Sequence, residues 1–160
     1  MSWIIIIAFM AVLRWKSFLM LDILFKRYKS NREQYSNFYE KELFDYRHKA
    51  LNLLQVGVEN SIPAWLKFLQ RCNVYCIDEF DKRQPDKYNY LNEKRVYWSR
   101  CDTSSEKSIR DVMKNIWNNP RFDIIIDNVN NFAITRQKNL NRYCIGKYYI
   151  EDGDDVRIVK

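Results

Sequence analysis

Five short apolar runs, each closing on an acidic residue, constrain this chain more than any other feature. They cover residues 51–58, 74–77, 96–98, 122–126 and 147–150, with Glu59, Asp78, Asp102, Asp127 and Glu151 at or just after their ends. Runs this short and this apolar read as strands buried on both faces, the signature of a parallel sheet. The segments between them carry helical spacing. This β-α-β alternation predicts an α/β fold: a Rossmann-like, mostly parallel sheet of about five to six strands with helices on both faces, preceded by N-terminal helices. In such sheets ligands bind beyond the carboxyl ends of the strands, near the point where the strand order reverses. The five acidic residues mark that edge.

The helices are legible from their punctuation. Tyr35, Phe38, Tyr39, Leu43 and Tyr46 recur at helical spacing over residues 33–46. Ser61 is placed to cap the next helix, with Pro63 in its first turn and Trp65, Leu66, Phe68 and Leu69 filling it. Ser104 or Ser105 caps a further helix, in which Ile109, Val112, Met113, Ile116 and Trp117 fall on one face. Asn119-Pro120 ends it. Another helix is expected over 132–143, after which Gly146 turns the chain into the fifth strand. Residues 156–159 read as one last short strand, and the polar stretch 79–94, with Pro85 in it, as a connection.

A chain of 160 residues suits a single domain. The reading divides it into an N-terminal apolar helix, 1–27, and the Rossmann-like domain, 28–160. Residues 3–13 are apolar without interruption, but a membrane-spanning helix needs about 20 such residues. Extending the run to Phe25 would put Arg14, Lys16 and Asp22 inside it. The segment is expected to pack on the domain or on a partner, with membrane association through this helix as the alternative.

The net charge of +7 favours anionic partners. The basic residues are nevertheless scattered, in Lys26-Arg27, Lys82-Arg83, Lys94-Arg95 and around Arg136-Gln137-Lys138, with no nucleic-acid motif. A nucleic-acid partner is therefore not expected. Cys72, Cys76, Cys101 and Cys144 lack the paired spacing of a zinc site. They read as reduced thiols of a cytoplasmic protein. The single histidine, His48, excludes a multi-histidine metal centre and sits in a polar stretch, where a structural role is expected. The edge beyond the fifth strand would be open to a second copy, as a homodimer.

The chemistry concentrates in Val56-Gly57-Val58-Glu59-Asn60, followed one helix and one strand later by Asp78. Glycine lets a ligand approach the backbone, and a strand-end carboxylate accepts hydrogen bonds from ribose hydroxyls. The stretch from Leu53 to Trp65, with Val74-Tyr75-Cys76-Ile77-Asp78 after it, resembles the start of a class I S-adenosylmethionine-dependent methyltransferase domain. The likeness is to the branch of macrolide-sugar O-methyltransferases and cephalosporin-hydroxylase-like proteins. Residues 24–39 resemble that branch's lead-in helix, with Lys29-Ser30-Asn31 near its usual Thr-Asp-Lys. Phe122-Asp123-Ile124-Ile125-Ile126-Asp127-Asn128 and Lys147-Tyr148-Tyr149-Ile150-Glu151-Asp152 resemble two of its later strands.

The resemblance implies S-adenosylmethionine as cofactor, held by Gly57, Glu59, Asp78 and Asp102. Gly57 would lie against the methionine part, Asp78 on the ribose and Asp102 at the adenine amino group. Asp127 would be the catalytic carboxylate facing the transferring methyl. Asp127, Glu151 and Asp152 would hold Mg²⁺, a hard cation that prefers oxygen. The acceptor implied is a hydroxyl of a sugar or other small molecule, with Tyr88, Tyr90, Tyr97 and Trp98 either lining its site or simply packing.

The chain also departs from the family. Asn60-Ser61 stand where the family has further glycines, and Asn128-Val129-Asn130-Asn131 stand where it reads Asp-Gly-Ser-His. The family adds two strands beyond the fifth, of which 156–159 can replace one at most. The sequence thus reads as a degenerate, C-terminally short member. Two expectations follow: an O-methyltransferase, or a catalytically inactive methyltransferase-like fold that serves as a binding or scaffolding module.

Overall fold

The computed structural model describes residues 20–128 and 133–160. Its centre is a six-stranded sheet in the order β3-β2-β1-β4-β5-β6. The strands are β1 (Leu51–Val56), β2 (Cys72–Asp78), β3 (Val96–Arg100), β4 (Phe122–Asp127), β5 (Cys144–Asp152) and β6 (Asp155–Ile158). The first five are parallel, and β6 turns back antiparallel on β5. The expected Rossmann-like architecture is therefore present. Strand order reverses between β1 and β4, so the crevice available to a ligand opens there.

Alternation along β1 builds two cores. Leu51 and Leu53 point to one face of the sheet, Leu54 and Val56 to the other. The first face is covered by α1 (Met20–Tyr28), α2 (Ser36–Leu43) and α3 (Ile62–Phe68). There Trp65 meets Phe25 and Tyr39 edge to face, at ring distances of 5.1 and 5.3 Å, and Tyr39 meets Tyr149 at 5.5 Å. The second face is covered by α4 (Glu106–Asp111) and α5 (Ala133–Leu140). All four cysteines are buried and unbridged.

Of the two serines expected to cap α4, Ser105 does so, accepting from the Ser108 N–H. Other details differ from the sequence reading. Ser61 makes no cap to α3, because its hydroxyl is drawn into a buried polar network described below. The apolar face of α4 fails at Ile116, which is 60% exposed. The helix continues over Val112–Ile116 as a π turn, in which the Trp117 N–H bonds the Val112 carbonyl five residues back. The wider turn advances the face by one residue, so Ile109, Val112 and Met113 stay buried while Ile116 swings out.

Gly146 is not a turn before β5 but a residue within it, at a register shift against β4. A side chain there would strike the Asp123 carbonyl, so only glycine lets the two backbones approach. The edge expected beyond the fifth strand is occupied by β6, whose Val156 pairs with Glu151. Among the described residues no helix is long and apolar enough to cross a membrane. The apolar run 3–13 lies outside the described residues. What is described of that end is α1, which buries Leu21, Leu24 and Phe25.

Candidate functional site

A cleft of about 580 Å³ opens at the carboxyl ends of β1 and β2, beside the reversal point. That size suits a drug- or nucleoside-sized ligand. Gly57, Asp78, Glu79, Tyr88, Thr103 and Asn128 are among the residues that line it. Two of the residues expected to hold a nucleoside, Gly57 and Asp78, are thus brought together by the β1–β2 pairing.

Asp78 closes β2 with its side chain turned back on the cleft's own backbone. Its Oδ2 accepts from the Val58 N–H at 2.7 Å and its Oδ1 from the Phe80 N–H at 2.5 Å. A carboxylate offers about four lone-pair sites, so two remain for ribose hydroxyls. The same bonds hold Phe80 at a φ of +57°, a left-handed conformation that favours glycine.

Gly57 has a φ of +86°. The space a Cβ would take there is filled by the side-chain amide of Asn128, the residue just after β4. Oriented to satisfy both its atoms, that amide donates to the Val56 carbonyl and accepts from Arg32 Nη2 at 2.9 Å. The glycine is thus required by the packing of β1 against the end of β4, and the backbone so bent forms the cleft wall.

Behind that wall lies a buried network centred on Arg32, which is 1% exposed. Its Nε donates to both oxygens of Glu151, at 2.7 and 3.0 Å. Its Nη1 donates to Glu59 and, at 2.7 Å, to Ser61 Oγ. Tyr39 donates to Glu151 Oε1 at 2.7 Å, and burial beside that carboxylate pushes the phenol well up. Glu59 also accepts from Ser30 Oγ at 3.1 Å. Ser61 Oγ donates to Gln55 Oε1, which takes a second bond from Trp65 Nε1, while Gln55 Nε2 donates to the Gly57 carbonyl at 2.7 Å. Glu59, expected as a cofactor ligand, does face the cleft, but its carboxylate belongs first to this network.

The three carboxylates expected to hold a metal do not form a cage. Each is matched to an arginine. Asp127 is fully buried and paired with Arg136, Glu151 is held by Arg32, and Asp152 lies exposed against Arg157 at 3.1 Å. Among the described residues no group of three His, Cys, Asp or Glu side chains could hold a metal ion. As placed, these three carboxylates do not fit Mg²⁺. Asp127, expected to face the reacting methyl, also takes the Tyr148 hydroxyl at 3.2 Å, and the cleft wall is formed by its neighbour Asn128. Asp102, expected at the adenine, is exposed and turns its carboxylate onto Ser104, whose N–H and hydroxyl hold its pKa low. Its neighbour Thr103 takes the place on the cleft.

Of the aromatic candidates, Tyr88 lines the cleft, while Tyr97 and Trp98 are exposed on the edge strand β3. His48 bonds Gln70 at the surface. Arg32, Gln55 and Arg136 organise the site and carry no local sequence signal. The Glu151 partner of Arg32 lies 119 residues further along the chain.

No protein-family model and no curated protein matches the chain. Solved structures do. Two crystal structures of the MycE methyltransferase from the mycinamycin biosynthetic pathway, one with Mg and SAH and one with Mg, SAH and mycinamycin VI, match at TM-scores of 0.68 and 0.67, with 25% and 26% identity. Each match covers 83% of this chain and 34% of the MycE chain. The chain thus spans about a third of that protein's length. The Methanococcus jannaschii fibrillarin pre-rRNA processing protein matches at a TM-score of 0.52 with 16% identity, over 66% of this chain and 46% of its own. That second likeness is one of fold alone. The chain has a class I methyltransferase-like fold.

Proposed function

We propose that this chain is an S-adenosylmethionine-binding domain of methyltransferase type, whose acceptor is a hydroxyl of a sugar or other small molecule. The observation that carries the reading is the nucleoside-sized cleft walled by Gly57 and Asp78 at the ends of β1 and β2. Asp78 keeps lone pairs for ribose hydroxyls, and the bent backbone at Gly57 allows close approach. The cofactor, when bound, supplies an electrophilic methyl on sulfur. The protein then has only to align the acceptor oxygen and to accept its proton. Carboxylates of Glu59, Asp78, Glu79 and Asp81 line the cleft, and Tyr88 offers an apolar wall.

A second reading is favoured by one observation. Asp127, Glu151 and Asp152 are each engaged by an arginine, and none of the three expected catalytic or metal carboxylates lines the large cleft. In that reading the fold binds the cofactor without turning it over and serves as a binding module.

Calorimetry with S-adenosylmethionine on the purified chain tests both. Binding that Asp78→Ala abolishes supports the cofactor site, and methylation of a hydroxyl acceptor then separates the two readings. A folded wild type that binds neither S-adenosylmethionine nor its demethylated product overturns both.

A further inference from the structure

Arg32 lies where two clefts meet. The large cleft touches its neighbours Asn31, Glu59 and Asn128, and a smaller one of about 270 Å³ is walled by Arg32 itself with Tyr35, Asn128, Glu151 and Gly153. The guanidinium between them donates to two carboxylates, a hydroxyl and an amide oxygen, and it is almost wholly out of water. Every acceptor it donates to is an oxygen, and two of the groups are anionic. That is the donor set a hard divalent cation selects. A guanidinium is permanently charged, presents its donors in a fixed fork and binds carboxylates side on.

We propose that Arg32 is the built-in cation of this crevice, standing between Glu59 and Glu151 where a divalent metal would otherwise be held. The crevice in the native protein therefore takes no Mg²⁺, and any ligand of the cleft binds without one. The geometry leaves a metal no room. Nε covers both Glu151 oxygens, Nη1 covers Glu59, and a second positive charge would stand against the first. Removing the side chain would expose Glu59, Glu151, Ser61 Oγ and the Asn128 amide oxygen to one shared volume. The inference stands on these ion pairs, whether or not the cleft takes S-adenosylmethionine.

The test is a Mn²⁺ titration of the full chain, read by the paramagnetic signal of free Mn²⁺, together with melting curves with and without Mg²⁺. The wild type is expected to retain no Mn²⁺ and to melt identically with and without Mg²⁺. Arg32→Ala is expected to retain one Mn²⁺ and to melt higher in Mg²⁺. If that variant is unfolded alone, recovery of its fold by Mg²⁺ or by methylguanidinium supports the inference, since either restores the missing charge. Stoichiometric Mn²⁺ binding by the wild type that Glu151→Gln removes would overturn it. So would an Arg32→Ala chain that neither cation restores, or a folded one that retains no Mn²⁺. S-adenosylmethionine calorimetry on the same samples reads the cofactor site separately.

Discussion

Arg136 grips Asp127 through both carboxylate oxygens, its Nε at 3.1 Å from each and its Nη2 at 3.0 Å from Oδ1, with the pair sealed from water. Asp127 ends β4 at the centre of the sheet, and Arg136 reaches it from α5. Replacing Arg136 takes the guanidinium away from a fully buried carboxylate. Arg136→Met is expected to cost about 3–5 kcal/mol in denaturant unfolding. The double variant with Asp127→Leu should recover most of that loss, because two apolar side chains strand no charge. A double variant as unstable as the sum of the singles would show that the pair is not the reason for the cost.

Gly57 and Gly153 both have positive φ, of +86° and +62°, yet their surroundings differ. Around Gly153 nothing lies within contact of an added Cβ, so Gly153→Ala bears backbone strain alone, about 1–2 kcal/mol. At Gly57 the added carbon meets the Asn128 amide, which must release the Val56 carbonyl and Arg32 to make way. Gly57→Ala is expected to lose clearly more stability than Gly153→Ala. Equal losses in matched unfolding experiments would refute the part given to Asn128.

The contrast between these glycines shows what a sequence can and cannot display. The strands were legible because their apolar runs are short, contiguous and closed by acids, which is a local pattern. Gly57 and Asp78 were legible because strand ends in a parallel sheet fall on one edge, so position along the chain fixes position in space. The fate of the other carboxylates was not legible. The resemblance implied Asp127, Glu151 and Asp152 as metal ligands, and the chain assigns each an arginine instead. Arg136 and Arg157 are near in sequence but on separate elements, and Arg32 comes from the far end of the domain. Pairing of that kind is decided by tertiary packing, which periodicity does not encode. Ile116 failed for a related reason: a single π turn rotates a helical face without changing its residues.

Burial pushes the Cys72 thiol up to about 12, and it pushes Cys76, Tyr148 and Tyr149 upward as well. The sign of the effect on stability follows. An unfolded thiol ionises near pH 8.5, about where the native thiol still holds its proton. The unfolded state therefore gains charge first, and stability falls as the pH climbs from about 8.5 towards about 12. Each such thiol contributes a slope of up to about 1.4 kcal/mol per pH unit in that window, and the tyrosines join only above about pH 10. The melting temperature should decline above about pH 8, less steeply in Cys72→Ala. An alkaline limb unchanged by that substitution would assign the decline to the other buried thiols and the tyrosines.

Asp78 and Asp102 were expected to share the nucleoside between them, and the structure separates their circumstances. Asp78 faces the cleft and anchors Val58 and Phe80, whereas Asp102 is exposed and turned onto Ser104. Asp78→Asn keeps the size of the side chain but replaces one acceptor by a donor, opposite a backbone N–H. It is expected to weaken S-adenosylmethionine binding by about tenfold or more, the worth of one charged hydrogen bond, with a modest loss of stability. Asp102→Asn removes a charge that points away from the cleft, and affinity should stay within about twofold, less than a hydrogen bond is worth. Calorimetry on the two variants decides the matter. Equal losses would mean that the loop after β3 turns Asp102 towards the base when ligand binds, restoring the contact that the sequence resemblance implied. A loss confined to Asp78 would leave Asp102 without a part in holding the nucleoside.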